Sequence, residues 1–109
     1  MPEVTVERRN SPRYPMLLAA QVLELPRGAK LTAHTSDISR TSCYLDTLNP
    51  SPVGTKLRIR LTHHEELFEA VGTVVYTSAS LGMGVAFTEI TPEEMLKLER
   101  WLANSEDEY

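Results

Sequence analysis

Three arginines fall within the six residues Arg8-Arg9-Asn10-Ser11-Pro12-Arg13. Each guanidinium offers a planar fork that matches a phosphate and a flat face that stacks on a base. Arg9 and Arg13 stand four apart, and Pro12 stiffens the link between them. A second cluster, Asp37-Ile38-Ser39-Arg40-Thr41-Ser42, follows a strand-like run. If the chain stays extended there, Asp37 and Ser39 project to the same side. A carboxylate at a turn can accept two hydrogen bonds from the N1–H and exocyclic amine of guanine, a donor pair no other base presents. Each cluster alone also has a plainer reading. Arginines on a polar leader form a solvated basic arm, and Asp and Ser at a turn bond their own backbone.

Other groups offer less chemistry. His63 and His64 lie in a polar turn beside Glu65 and Glu66. As neighbours on a strand they are expected on opposite faces, which disfavours a shared metal. Cys43, the single cysteine, sits in a short apolar run and reads as a core thiol in a reducing compartment. No phosphate-binding glycine loop, nucleophile elbow or zinc-binding HExxH motif is present, so neither a catalytic nor a metal site is expected.

The net charge is −4, unevenly distributed. Residues 8–40 carry six basic groups and two acidic ones, whereas residues 89–109 carry two basic and seven acidic ones. An acidic chain with one basic stretch is poorly built for DNA or RNA, where affinity grows with the number of cationic contacts. It can still hold a small, compact anion. No apolar stretch approaches the roughly 20 residues that span a bilayer, and no secretory pattern opens the chain, so a cytoplasmic location is expected.

The elements that must position these groups follow from periodicity. Residues 1–15 read as a flexible leader, with Pro12 and Pro15 opposing a helix. Strand-like runs cover residues 16–25, 30–37, 43–46, 56–61, 67–76 and 81–87. In 56–61 the apolar Leu57, Ile59 and Leu61 alternate with Lys56, Arg58 and Arg60, giving one buried and one wet face. Thr91-Pro92-Glu93-Glu94 is a helix start: Thr91 caps, Pro92 takes the first turn, Glu94 completes a capping box, and Ile90 with Met95 forms a staple. Met95, Leu98, Trp101 and Leu102 follow as an apolar stripe. The acidic residues 104–109 are expected to fray as a tail. Short antiparallel strands and one amphipathic helix predict a small barrel or strongly curved sheet over residues 16–103, with the helix covering it.

The two clusters taken together are far more specific than either alone. An RxxxR leader followed by Asp37-x-Ser39-x-x-Ser42 resembles the PilZ family, and Leu81-Gly82-Met83-Gly84-Val85-Ala86-Phe87 is similar to that family's GxGVxF strand. The resemblance runs from about Glu7 to Leu102. It implies a mainly β fold, a six-stranded antiparallel barrel with one C-terminal helix, and binding of cyclic di-GMP as the ligand, with no other cofactor. By resemblance, Arg9 and Arg13 hold phosphates and contact guanine, and Arg8 is the basic residue before them. Asp37 and Ser39 form the guanine-contacting pair, and Gly84 is a small position on the strand lining the ligand. Ser42 departs from the pattern, which has glycine there. If the backbone at that position needs positive φ, serine costs roughly 1 kcal/mol. The expected activity is that of a receptor without catalysis, acting on a downstream protein as a monomer or homodimer. The alternative is a PilZ-like interaction module that binds no nucleotide.

Overall fold

Alternation decides where each strand faces. In β5 (Lys56–His63) Leu57, Ile59 and Leu61 are fully buried while Lys56, Arg58 and Arg60 are exposed, as a period of two requires. The computed structural model describes residues 12–26 and 28–107. Its other strands are β1 (Tyr14–Pro15), β2 (Ala19–Leu25), β3 (Lys30–Ile38), β4 (Ser42–Asp46), β6 (Glu66–Ser78) and β7 (Gly82–Glu89), followed by helix α1 (Pro92–Asp107).

All strand pairs are antiparallel, in the order β3-β2-β5-β6-β7-β4, and β4 pairs back onto β3. The result is a six-stranded closed antiparallel barrel with one C-terminal helix. β1 is added outside the ring, pairing Tyr14 with Ile38 and Pro15 with Asp37. Proline lacks an N–H, so it is tolerated at this edge position.

The expected first strand, residues 16–25, is interrupted at its start. The Thr35 hydroxyl donates to the Met16 carbonyl at 2.6 Å and accepts from the Leu18 N–H at 2.9 Å. These bonds replace ladder bonds, so β2 begins only at Ala19 and the chain bends between β1 and β2. Thr35 is fully buried, and its bonds satisfy groups that would otherwise be costly to bury.

The barrel interior holds Ile38, Leu45, Leu57, Ile59, Leu61, Phe68, Val74, Met83 and Val85. Cys43 joins this core. Burial pushes its thiol up to about 12, the Asp37 carboxylate pushing the same way and Arg13 opposing. Because the folded state favours the neutral thiol, its contribution to stability is complete below the ordinary thiol value of 9.0 and is lost as pH rises from there towards about 12. Dithionitrobenzoate at about pH 8 is therefore expected to leave native Cys43 unmodified and to titrate it once urea unfolds the chain. Rapid reaction of the native protein would contradict this burial.

The β5–β6 connection is a two-residue turn with His64 at φ 51° and Glu65 at φ 69°, the left-handed pair of a type I′ hairpin. This turn corrects the expectation that His63 and His64 point to opposite faces. Their ring centroids lie 4.1 Å apart, and His63 also meets the edge of Trp101 at 5.1 Å.

Helix α1 starts as expected. The Glu94 N–H donates to Thr91 Oγ1 at 3.2 Å. The Glu94 carboxylate, however, accepts from the Glu69 N–H at 2.8 Å rather than closing the capping box, so it ties the helix start to β6. Leu98, Trp101 and Leu102 are buried against the barrel, with Ile90 and Met95 packed beside them. The helix continues to Asp107, beyond the end of the apolar stripe.

Trp101 Nε1–H donates to Glu66 Oε1 at 2.7 Å, and Arg100 pairs with the same carboxylate. The Trp101 bond, then the Arg100 bond, lower the Glu66 pKa below its ordinary value. A lowered folded value adds stability above the usual carboxylate range, and that stability fades as pH falls through the lowered value. Urea unfolding from neutral pH down into acid is expected to show this loss, and Glu66→Gln to remove that share of the pH dependence. Parallel curves for the two proteins would show that this contact is not felt.

Candidate functional site

The bend at Thr35 aims the end of the leader back over the end of β3. Once Tyr14 and Pro15 pair with Ile38 and Asp37, the preceding residue falls beside the β3–β4 turn. Arg13 Nη1 donates to Asp37 Oδ1 at 2.6 Å, and Nη2 donates to Ser42 Oγ at 3.3 Å. Both partners of the ion pair remain partly open to water, at 45 % and 34 % side-chain exposure, so the pair can exchange with a ligand. Arg8 and Arg9 lie outside the described residues.

Ser39 does not project beside Asp37. β3 ends at Ile38 and the chain turns, the Ser39 N–H donating to the Ser42 carbonyl at 2.8 Å. The Ser39 side chain is buried, and its Oγ accepts from the N–H groups of Thr41 and Ser42 at 3.1 Å each. An extended chain was the premise of a shared face, and the turn removes it. Ser39 holds the shape of the loop that presents Asp37.

Ser42 needs no glycine backbone. Among the described residues, positive φ outside glycine occurs only at His64, Glu65 and Ser80. Ser42 opens β4 opposite Ala86, nearly buried, with its hydroxyl 3.3 Å from both Ser39 Oγ and Arg13 Nη2. The conditional backbone penalty therefore does not arise, and the serine adds a second acceptor for Arg13. Arg40, within the same turn, pairs with Glu99 of α1 at 3.0 Å, so the loop is also tied to the helix.

Gly84 lies on the outer face of β7, paired with Tyr44 on β4 and Tyr76 on β6, while Tyr44 is in turn paired with Asp37. Paired residues share a face, so Asp37, Tyr44, Gly84 and Tyr76 form one row across the outside of the barrel. The two tyrosine ring centroids are 6.0 Å apart. A Cβ on Gly84 would collide with the Tyr76 ring, and one on Gly82 would collide with the Leu45 carbonyl and the Tyr44 ring. The alternate glycines thus let two aromatic rings lie against the strand, with Tyr76 still 45 % exposed. Tyr44 and Tyr76 escaped the motif reading. The available signal was Gly82-x-Gly84 on one face of a strand, which leaves room for aromatic neighbours.

The two glycines predict different outcomes. Gly84→Ala displaces only the partly exposed Tyr76 ring, so stability is expected to change by less than about 1 kcal/mol. Gly82→Ala pushes on a backbone carbonyl, so β4 and β7 must separate locally, at a cost of about 3 kcal/mol. Urea midpoints of both variants check this, and equal midpoints would refute the stated packing.

A closed barrel thus carries an arginine–aspartate pair and an aromatic row on one outer face. The chain belongs to the PilZ domain family, whose model matches residues 7–104. That is a family of cyclic di-GMP receptors and adaptors. No curated protein sequence matches the chain. Among solved structures it is similar to the PilZ domain of YcgR from Escherichia coli with c-di-GMP (TM-score 0.76, 15 % identity, covering 93 % of each chain). It is also similar to the PilZ domain of CeSA from a cellulose-synthesizing bacterium (0.71, 16 %, 87 % of this chain and 98 % of that one). The Bacillus subtilis inhibitor of motility MotI/DgrA gives 0.74 and 16 %, covering 91 % of this chain. This chain spans about half of MotI, 51 % of its length. At such identities these likenesses establish the fold. No helix among the described residues is long and apolar enough to cross a membrane.

Proposed function

We propose that this protein is a cyclic di-GMP receptor whose leader closes over the ligand and so changes the surface offered to a downstream protein in the cytoplasm. The observation that carries this reading is the Arg13–Asp37 pair at 2.6 Å, which brings the two sequence clusters together at one exposed spot. Asp37 would release Arg13 and accept the N1–H and amine of a guanine. Arg13, with Arg8 and Arg9 from the leader, would meet the phosphates. Ser39 would keep the turn in shape, and Ser42 would steady Arg13. The outer face around Gly84 would receive the second base or the ribose, with Tyr76 as a stacking surface. The ordering entropy of the leader must be outweighed by the charge-assisted bonds.

Isothermal titration of the full chain with cyclic di-GMP tests the reading, with GTP and cyclic AMP as controls. Saturable binding of cyclic di-GMP alone is expected, together with a raised melting temperature. No heat and no thermal shift at high micromolar ligand, for folded and ligand-free protein, would reject it.

A second reading, a nucleotide-independent interaction module, draws on Ser42 in the place of the motif glycine. Its hydroxyl already occupies the space beside Arg13. Recovery of one protein partner equally well with and without nucleotide would favour it. Neither reading involves catalysis or binding to DNA or RNA.

A further inference from the structure

The barrel carries a second polar face, remote from the first. In the ring order β5 stands opposite β4, and Lys30 and Thr32 lie at the other end of β3 from Asp37, so the outer surface that β2 and β5 share with the start of β3 is well separated from that turn. On that surface Leu23 pairs with Lys30 and with Arg58, and Gln21 pairs with Thr32 and with Arg60. These residues line a cleft of about 420 Å³. Its walls bring three cations together in a chain of net charge −4.

The cations are not equally committed. Arg60 pairs with Glu69 at 3.2 Å. The side chains of Lys30 and Arg58 have no hydrogen-bond or ion-pair partner among the described residues. Glu69 and Glu89 line the neighbouring hollow on the other side of Arg58, with Glu93 and Glu94. That acidic border would repel an anion and confine it to the β2–β3 side.

The cleft's chemistry separates two kinds of anion. A compact phosphate is gripped by converging donors, commonly backbone N–H groups. Here β2 is flanked by strands on both sides, so its backbone is committed to the ladder. What remains is a spread of side chains. Arg58 and Arg60 lie two apart on one strand, about 7 Å in strand geometry. Gln21 and Thr32 add neutral hydrogen-bonding groups, and the half-buried Leu23 gives an apolar floor. An extended segment with carboxylates at alternate positions has the same repeat, and its intervening apolar side chain can rest on Leu23.

We infer that the outer face of β2, β3 and β5 is a docking site for an extended acidic segment of a partner protein, with Lys30 and Arg58 as its principal contacts. The site is independent of the nucleotide-binding reading: it shares β3 with it but lies at the other end of that strand and extends over β2 and β5.

The test is an amide ¹H–¹⁵N titration of the full chain, which reports weak binding residue by residue. The probes are the peptide Glu-Leu-Glu-Leu-Glu-Leu, its counterpart with Lys for Glu, and inorganic pyrophosphate. The acidic peptide is expected to shift amides of β2, β3 and β5, and added salt to weaken it. The basic peptide is expected to shift none of them. Lys30→Glu with Arg58→Glu should weaken the acidic peptide about tenfold or more, whereas Arg13→Ala should leave it unchanged. Should the double reversal disturb the spectrum's dispersion, Arg58→Gln is read instead and is expected to weaken binding in the same direction. The inference is overturned if the acidic peptide shifts nothing on this face, if a folded variant binds it like the parent, or if pyrophosphate binds there more tightly.

Discussion

Asp37→Ala is expected to lower the affinity for cyclic di-GMP about 100-fold or more, from the loss of two hydrogen bonds to a charged acceptor. The fold should hardly notice. The Arg13–Asp37 pair is partly exposed, and such pairs contribute about 1 kcal/mol at most. Asp37→Asn sharpens the test. Asparagine keeps one acceptor but sets an N–H₂ group against the amine and N1–H of guanine, so it should bind as poorly as alanine. Arg13→Ala removes a phosphate contact and should cost about tenfold or more. Titration calorimetry on variants with unchanged melting temperature checks all three. If Asp37→Ala and Arg13→Ala both bound like the parent, the ligand would have to sit elsewhere on the barrel.

Trp101→Ala should cause the largest loss of stability, about 3 to 5 kcal/mol. Trp101 is 2 % exposed and packs against Phe68 at 6.0 Å and the edge of His63 at 5.1 Å. Its removal opens a cavity between helix and barrel and strips the indole N–H hydrogen bond from Glu66. A domain of this size has about 5 to 15 kcal/mol in all, so the variant would be marginal. Trp101→Phe keeps most of the packing but not the N–H, and should lie between the two. The helix undocks first if the far-ultraviolet signal falls before the barrel core opens, which the thiol of Cys43 reports. A variant as stable as the parent would mean that α1 is held by other contacts.

The sequence already displayed what periodicity and turn chemistry encode locally. The alternation of Leu57, Ile59 and Leu61 with Lys56, Arg58 and Arg60 defined β5, and Thr91-Pro92-Glu93-Glu94 marked the helix start. Contacts between distant residues were not legible in the same way. Nothing near Met16 announces that Thr35 will take two of its neighbours' backbone bonds and divide the first strand. The Glu94 side chain, suited by its spacing to its own helix cap, instead accepts from a donor on β6. In the candidate site, the spacing of Asp37 and Ser39 suggested a shared face because the turn at Ser39 leaves no mark in a pattern of two. The pairing of Arg13 with Asp37 is likewise a product of β1, a strand too short and too proline-bound to be read from sequence.

Closure of the ring by β3 and β4 has a further consequence for how copies of this chain behave in a crowded solution. An open sheet would offer rows of unbonded amides on which another chain can grow. Here each of the six main strands has a neighbour on both sides over part of its length, and the one short addition ends in Pro15, which has no N–H to give. Strand addition is left only short stretches, such as the start of β3 beyond its pairing with β4, rather than a full-length edge. Contacts between molecules then fall mainly to side chains, where charge and shape can choose the partner.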